Sequence, residues 1–265
     1  MFAIDKYTGL LKLSFKSQWM YRGDYLLSAL INALYPFIMV FLWSAIYASS
    51  KTTMIGNLTL FNIYSYFFVA SALGPIFYSG IDWYLQSDIK NGRIGISFTR
   101  PMRYIVYPIM NDVSSVMVDI IIFTIPILIF VIIFAHLAIT PLILLVFFLE
   151  VLTTYIVAAL LAICIGTLAI YVTNINGIIS FKYAIIGLLA GLLVPLSLFP
   201  PDIRALLLLS PFQFNYYAIS VFIGTVSVAS AINSLELALV WISALSILAY
   251  TSWYFAKRHI NVVGV

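Results

Sequence analysis

The chain has 265 residues, of which 64% are hydrophobic and 8% are charged, with a net charge of +4 and a mean hydropathy of +1.11. Soluble domains carry about 25% charged residues, so this composition excludes a water-soluble globular protein. Each membrane-spanning helix needs about 20 apolar residues, and the long apolar runs predict an all-α integral membrane protein with six transmembrane helices in a single domain, residues 1–265.

The first predicted element is an amphipathic helix within residues 1–24. Large side chains recur there at every fourth position: Tyr7, Leu11, Phe15 and Trp19. Lys12 and Lys16 lie on the opposite side of such a helix. This spacing is typical of a helix that lies in the membrane interface. The alternative is a loosely ordered basic tail.

Six apolar runs follow, and each predicts a membrane-spanning helix. Their approximate bounds are residues 25–48, 60–83, 104–135, 141–172, 177–199 and 235–256. Backbone polar groups cannot remain unpaired in lipid, and the runs are long and continuous, so helices are favoured over barrel strands.

The distribution of Lys and Arg predicts the orientation. If both termini are cytoplasmic, only Lys51 and Arg204 of the 13 basic residues lie outside, which leaves eleven inside. Cytoplasmic loops are enriched in Lys and Arg, so this arrangement is the one that we expect.

Residues 200–234 form an apolar segment between the last two spans. We expect a pair of short re-entrant helices there on the outer side, broken at Ser210 and Pro211. A seventh span is the alternative, but it would move Lys257 and Arg258 to the outside, against the positive-inside rule.

Four ionisable residues lie within predicted spans: Asp112, Asp119, Glu150 and Lys182. Charged groups in lipid are costly and are often functional. Asp112 and Lys182 lie about 12 Å and about 8 Å from the cytoplasmic ends of their spans at 1.5 Å per residue, so the two can pair. Alternatively, these residues make ordinary polar contacts between helices, or the third span begins near Asp119.

The sequence carries no recognisable catalytic or metal-binding motif. HExxH, GxSxG and GxxxxGK[ST] are all missing, and His136 and His259 lie at opposite membrane faces in the expected topology. We therefore expect a chain that is not an enzyme by itself, holds no metal and binds no cofactor. Nucleic acid is not an expected partner, because the basic residues lie at membrane flanks.

Charge is concentrated between the second and third spans, in residues 84–103. Ser87 is a candidate cap for a short helix there, and Gly92 is a candidate left-handed residue at its end. A charged helix that protrudes from the membrane is a docking element for a soluble partner. The alternative is a basic loop that binds anionic membrane lipids.

Two stretches resemble a known family. "DIKNGRIGISFTRP", residues 88–101, is similar to the segment that follows the second span in the six-span permease subunits of type-2 ATP-binding-cassette (ABC) transporters, which are mostly exporters. "GLLVPLSLFPPDIRALLLLSPF", residues 191–212, resembles the outer segment of the same family. The basic amphipathic start also fits.

The resemblance implies a function. Residues 84–100 would be the coupling helix that contacts a separate ATPase subunit, with these residues carrying the coupling: Asp88, Ile89, Gly92, Arg93, Arg100 and Pro101. The outer segment would be shaped by Pro195, Pro200, Pro211 and Phe212. Two permeases, identical or related, would pair with two ATPase subunits that bind ATP and Mg.

Such an exporter would lie in the cell membrane of a bacterium or archaeon. Two other functions stay open at this point: a secondary carrier or channel that works without an ATPase, and a lipid-modifying membrane enzyme.

Overall fold

The protein is described by a computed structural model that covers residues 2–98 and 103–259. Nearly all of its secondary structure is helical. The helices are α1 Phe2–Met20, α2 Arg22–Ser50, α3 Leu60–Phe77, α4 Ile81–Lys90, α5 Arg93–Phe98, α6 Val106–Asp119, α7 Ile125–Phe134, α8 Pro141–Thr167, α9 Ala169–Val172, α10 Asn176–Leu189, α11 Pro201–Leu207, α12 Gln213–Phe222 and α13 Val228–Ala256. A two-stranded antiparallel hairpin, β1 Met54–Ile55 and β2 Leu58–Thr59, joins α2 to α3.

Three long helices begin at residues whose hydroxyls cap them. Thr59 accepts a hydrogen bond from the Asn62 amide, at 3.2 Å, at the start of α3. Thr140 and Ser227 do the same at the starts of α8 and α13. A capping hydroxyl satisfies one of the amides that a helix leaves unpaired in its first turn. These caps fix where the three helices start.

Five helical segments of the described chain are long and apolar enough to cross a membrane. They are Arg22–Ser50, Leu60–Lys90, Val106–Phe134, Pro141–Val172 and Val228–His259. The predicted run 177–199 is instead the shorter helix α10, which ends at Leu189. Gly191 ends it with a φ of 81°, a left-handed conformation common just past helix ends. The sixth span therefore stays a prediction.

The predicted outer segment contains two short helices, α11 and α12, with Ser210 and Pro211 in the turn between them. Pro200 precedes α11, Phe212 precedes α12, and Pro195 precedes the single 3₁₀ turn Leu196–Leu198. The last span starts at Val228 rather than at 235, because Ser227 caps it. Re-entry into the membrane stays a prediction for α11 and α12.

Helix α8 lies at the centre of the bundle, where α3, α4, α12 and α13 pack against it. Helix α2 is peripheral and leaves a run of large apolar side chains exposed: Leu26, Leu27, Leu30, Ile31, Leu34, Phe37, Ile38, Phe41 and Leu42. An apolar surface of this size indicates contact with lipid or with another membrane chain.

Helix α1 packs along α6. Phe15 and Trp19 stack with their ring centroids 6.0 Å apart, while Lys12 and Lys16 are exposed. The helix and its two faces are therefore those that the four-residue spacing indicates, and its position in the membrane interface stays a prediction.

Candidate functional site: a buried charge network beside a polar cleft

The helix of the second membrane segment is broken between α3 and α4, and the side chain of Asp112 in α6 forms hydrogen bonds with residues of this break. The Asp112 carboxylate accepts hydrogen bonds from the Ser79 hydroxyl at 2.9 Å and from the Gly80 amide at 2.8 Å. Tyr155 of α8 donates a third, at 3.0 Å. Because Asp112 and Ser79 are buried, Asp112 satisfies donors that the broken helix would otherwise leave unpaired.

Lys182 of α10 completes the network from the other side. Its ammonium lies 2.6 Å from an Asp82 carboxylate oxygen and donates to the Ser79 carbonyl at 3.0 Å. The side chains of Lys182 and Asp82 are only 5% and 0% exposed. The expected pairing of Lys182 with Asp112 is therefore wrong. The two residues meet at Ser79, but the salt bridge goes to Asp82.

Asp82 was missed by the sequence reasoning because it lies next to the predicted end of the second span. There it looked like an ordinary residue at the membrane flank. In the structure α4 continues to Lys90, so Asp82 is placed inside the bundle. The signal that pointed towards it was the buried Lys182, which required a carboxylate partner.

The other predicted intramembrane acids lie apart from this network. Helix α6 begins at Val106 and belongs to the membrane-length segment Val106–Phe134, and a third span that starts near Asp119 stays an alternative. Asp119 ends α6 and is followed by a π-helical segment, Ile120–Thr124. Glu150 of α8 is 0% exposed and accepts a hydrogen bond from Ser234 of α13. Within the described residues, no group of three or more His, Cys, Asp or Glu is arranged to hold a metal ion.

A cleft with a volume of about 760 Å³ lies beside the network, between α2, α3, α6 and α10. Its charged lining residues are Asp112 and Asp119. Its aromatic lining residues are Tyr25, Tyr35, Tyr78, Trp83, Tyr84 and Tyr183. A cavity of this size with mixed aromatic and polar walls is typical of a site for a small molecule.

The far end of α4 carries the predicted coupling residues. Asp88 accepts a hydrogen bond from Tyr104 at 3.2 Å and lies 3.3 Å from Arg93 Nε. Gly92 has a φ of 68° and separates α4 from α5. Burial raises the pKa of Tyr104, so its hydroxyl keeps the proton that it donates to Asp88. Ile89 packs partly buried beneath this end.

The structure corrects the predicted role of Ser87 at this end of α4. Ser87 was expected to cap a helix, but it lies inside α4, and its hydroxyl accepts hydrogen bonds from Asn91 and Arg93 instead. The expectation failed because the helix begins at Ile81, one and a half turns earlier. Arg100 and Pro101 lie outside the described residues.

Comparison with known families now identifies the chain. A family model for the ABC-2 family transporter protein matches residues 33–263. The chain belongs to the ABC-2 transporter family. It is therefore a membrane subunit, or permease, of an ABC transporter, and the family implies association with ABC ATPase partners. No match was found among curated proteins.

In this ABC-2 permease, α4 runs from the charge network to the candidate docking residues at its other end. Its buried face packs on α8 at Gly166, where an added Cβ would lie 2.5 Å from Leu85 Cδ1 and 3.0 Å from Asp82 Cα. Gln86 accepts from the Ile175 amide at 2.6 Å and donates to Asn176 at the start of α10. The part of α4 from Asp82 to Gln86 is thus fixed to α8 and α10.

Proposed function

We propose that this chain is the permease subunit of an ATP-driven exporter. In this proposal two permeases, either two copies of this chain or one copy and a related chain, form the substrate path across the membrane. Two ABC ATPase subunits bind ATP and Mg and dock below them. The observation that carries the proposal is the path of α4, which runs from an exposed charged end to the wall of the polar cleft.

The docking end supports the proposal through its exposure and its chemistry. Arg93 is 57% exposed and pairs with Asp88, which is 15% exposed. Partly exposed charges of both signs next to a tight turn at Gly92 suit recognition of a soluble protein surface. Residues 84–100 would form the contact, with Asp88, Ile89, Gly92, Arg93, Arg100 and Pro101 carrying the coupling.

The other end of α4 supports a mechanical link. Gly80, Trp83 and Tyr84 line the cleft, and they lie at the start of the same helix whose last turn carries Asp88. The Lys182–Asp82 pair and the Asp112 hydrogen bonds join the start of α4 to α10 and α6. A force on the docking end would therefore be transmitted through α4 to these helices. The cleft wall would then move with them, which is how a two-state helix bundle opens or closes a path.

The proposed orientation places the cleft on the side from which an exporter takes its cargo. With both termini in the cytoplasm, α2 enters the membrane at Arg22 and Tyr25 lies near the cytoplasmic face. Tyr35 is ten residues further along, about 15 Å deeper. The cleft would therefore extend from the cytoplasmic face towards the membrane centre. The cell membrane of a bacterium or archaeon is the proposed location.

The second permease would contact the exposed face of α2, the helix that forms one wall of the cleft. Helix α2 forms one wall of the cleft and presents its large apolar side chains to the outside. A partner placed against α2 would cover this apolar surface, and the cleft would lie on the other side of α2 from the interface. Membrane lipids would cover the rest of the apolar surface.

The test is co-purification of the tagged permease with its untagged ATPase from gently solubilised membranes. Asp88→Lys should reduce the recovered ATPase about tenfold or more while the permease still inserts, because loss of a buried charge contact at an interface costs about 2–5 kcal/mol. Gly92→Pro should have a similar effect because proline cannot adopt the φ of 68° at this position, so the turn next to Asp88 would change shape. Asp202→Lys, at an exposed site in α11, is the matched control and should change nothing. Unchanged recovery of the ATPase with both docking variants would overturn the proposal.

A further inference from the structure

We propose that the cleft binds a drug-sized organic cation with an apolar body, and that Asp119 is the residue that recognises the positive charge. The inference deepens the proposed function: it rests on that function only in treating the ligand as transport cargo. Binding to the cleft itself needs neither ATP nor a partner subunit.

The charge of the cleft is negative. Asp112 and Asp119 line it, and no Lys, Arg or His is among its lining residues in the described part of the chain. Lys182 lies nearby, but its ammonium is engaged by Asp82 and the Ser79 carbonyl. An uncompensated carboxylate in a membrane segment is costly, and a cationic ligand would relieve that cost.

The two lining carboxylates differ in how they are used. Asp112 already accepts three hydrogen bonds, from Ser79, Gly80 and Tyr155. Asp119 makes no hydrogen bond or ion pair with any residue that the structure describes, although it is partly buried and lines the cleft. Asp112 therefore stabilises the fold, whereas the carboxylate of Asp119 is available to bind a ligand.

Two prolines add negative potential to the same cleft. A proline has no amide proton, so the carbonyl four residues before it loses its helical donor. Pro36 does this to Asn32, and Pro75 does it to Ser71. Both Asn32 and Ser71 line the cleft. The Ser71 hydroxyl partly compensates by donating to the Asn32 carbonyl at 3.3 Å.

The backbone next to Asp119 is irregular. The π-helical segment Ile120–Thr124 follows it directly, and the Thr124 hydroxyl fixes this segment to α3 by donating to the Ala72 carbonyl at 2.7 Å. Single π-helical turns inside α-helices are uncommon and occur frequently at functional sites. Asp119 thus lines the cleft directly before an irregular segment of the third span.

The remaining walls fit the apolar body of the ligand. Tyr25, Tyr35, Trp83 and Tyr183 contribute aromatic rings, and aromatic faces attract organic cations by about 0.5–2 kcal/mol each. A volume of about 760 Å³ falls in the range of drug-sized sites, about 300–1,000 Å³. The absence of any group of three metal-ligating side chains in the described residues argues against a metal ion as the ligand.

The experiment uses two probes of the same shape and opposite charge, tetraphenylphosphonium and tetraphenylborate. The full-length chain is purified into nanodiscs of zwitterionic lipid, and binding of each radiolabelled ion is measured by equilibrium dialysis, with empty nanodiscs as the blank. The wild-type chain should bind the phosphonium saturably and should bind no borate above the blank.

Variants of Asp119 test the assigned residue. Asp119→Asn should weaken phosphonium binding by about tenfold or more, since the variant keeps the shape of the side chain but removes the negative charge that attracts the cation. Asp119→Glu should retain most of the affinity. Asp202→Asn, which removes an exposed carboxylate outside the cleft, should retain all of it.

Equal binding of the two ions, or an Asp119→Asn affinity equal to that of the wild type, would overturn the inference. If Asp119→Asn unfolds, the discrimination between the two ions by the wild-type chain decides alone. The outcome is independent of the proposed function: a chain that binds phosphonium but recruits no ATPase contradicts only the exporter, and the reverse result contradicts only the cation site.

Discussion

Helix α4 has an ion pair at each end, and the two pairs differ in distance, in exposure and in the elements that they join. At its start, Asp82 and Lys182 are 2.6 Å apart and almost fully buried. At its end, Asp88 and Arg93 are 3.3 Å apart, and the Arg93 side chain is 57% exposed. One pair joins helices distant in sequence, α4 and α10, whereas the other joins residues on either side of one turn.

These two ion pairs allow α4 to be fixed at its start and available for binding at its end. A buried pair that loses one partner leaves a charge without solvent or counterion, so its removal is strongly destabilising. An exposed pair contributes little because water solvates both charges when they separate. The buried end therefore holds α4 in the bundle, and the exposed end can exchange its partner for one on another protein.

The largest expected effect comes from breaking the buried pair. Lys182→Met should lower the free energy of unfolding by about 3–5 kcal/mol, because it leaves the buried Asp82 charge unpaired. Unfolding by SDS in mixed micelles measures the change. Lys16→Met, at an exposed position of α1, is the control.

The double variant Asp82→Leu/Lys182→Met sharpens this comparison. It removes both charges, so most of the lost stability should return. If the single Lys182→Met variant were as stable as the wild type, the buried pair would not be what fixes the start of α4.

A smaller effect is expected where α4 packs against α8. Gly166→Ala should lower the free energy of unfolding by about 1–3 kcal/mol through overpacking, because the new Cβ would lie 2.5 Å from Leu85 Cδ1 and 3.0 Å from Asp82 Cα. Gly177→Ala is matched to it, since nothing lies within 4 Å of that Cβ. Equal stabilities of the two alanine variants in the same SDS titration would show that this contact can relax without cost.

The hydrogen bonds at the helix break should contribute less than the packing and the ion pair. Tyr155→Phe removes one of the three donors to Asp112 and should lower the free energy of unfolding by about 1.5 kcal/mol, at the low end for hydrogen bonds to charged groups. Tyr250→Phe alters a tyrosine that is 70% exposed and should have no effect. A Tyr155→Phe variant indistinguishable from Tyr250→Phe would mean that Ser79 and Gly80 alone satisfy Asp112.

The smallest effect on stability is expected at the exposed pair. Arg93→Gln should change the free energy of unfolding by less than about 1 kcal/mol, yet it should reduce the recovery of the ATPase in co-purification. This combination separates docking from folding. A large loss of stability without any loss of ATPase recovery would reverse the roles that we assign to the two ends of α4.

Local patterns in the sequence predicted much of this protein, and their failures have physical reasons. Five of the six apolar runs correspond to membrane-length helical segments of the described chain, and the sixth corresponds to the shorter helix α10. The charged stretch after residue 84 led to the family that was then confirmed. The break after Phe77 was not predicted. The side chains that satisfy its backbone groups, Asp112 and Lys182, are distant in the chain, and the same distance in sequence explains why Asp82 was not recognised as the partner of Lys182.

Composition and the spacing of apolar, basic and turn residues determined that this chain is a helical membrane protein, because lipid permits few structures and each leaves a periodic signal in the sequence. Only the tertiary structure decided which charged groups form pairs and which carboxylate lines the cleft without a partner among the described residues. Asp112 and Asp119 lie seven residues apart on the same helix and look alike in the sequence. The break between α3 and α4 and the packing of α8 give the Asp112 carboxylate its partners, whereas the Asp119 carboxylate faces a cleft, since partners for a buried charge come from other helices.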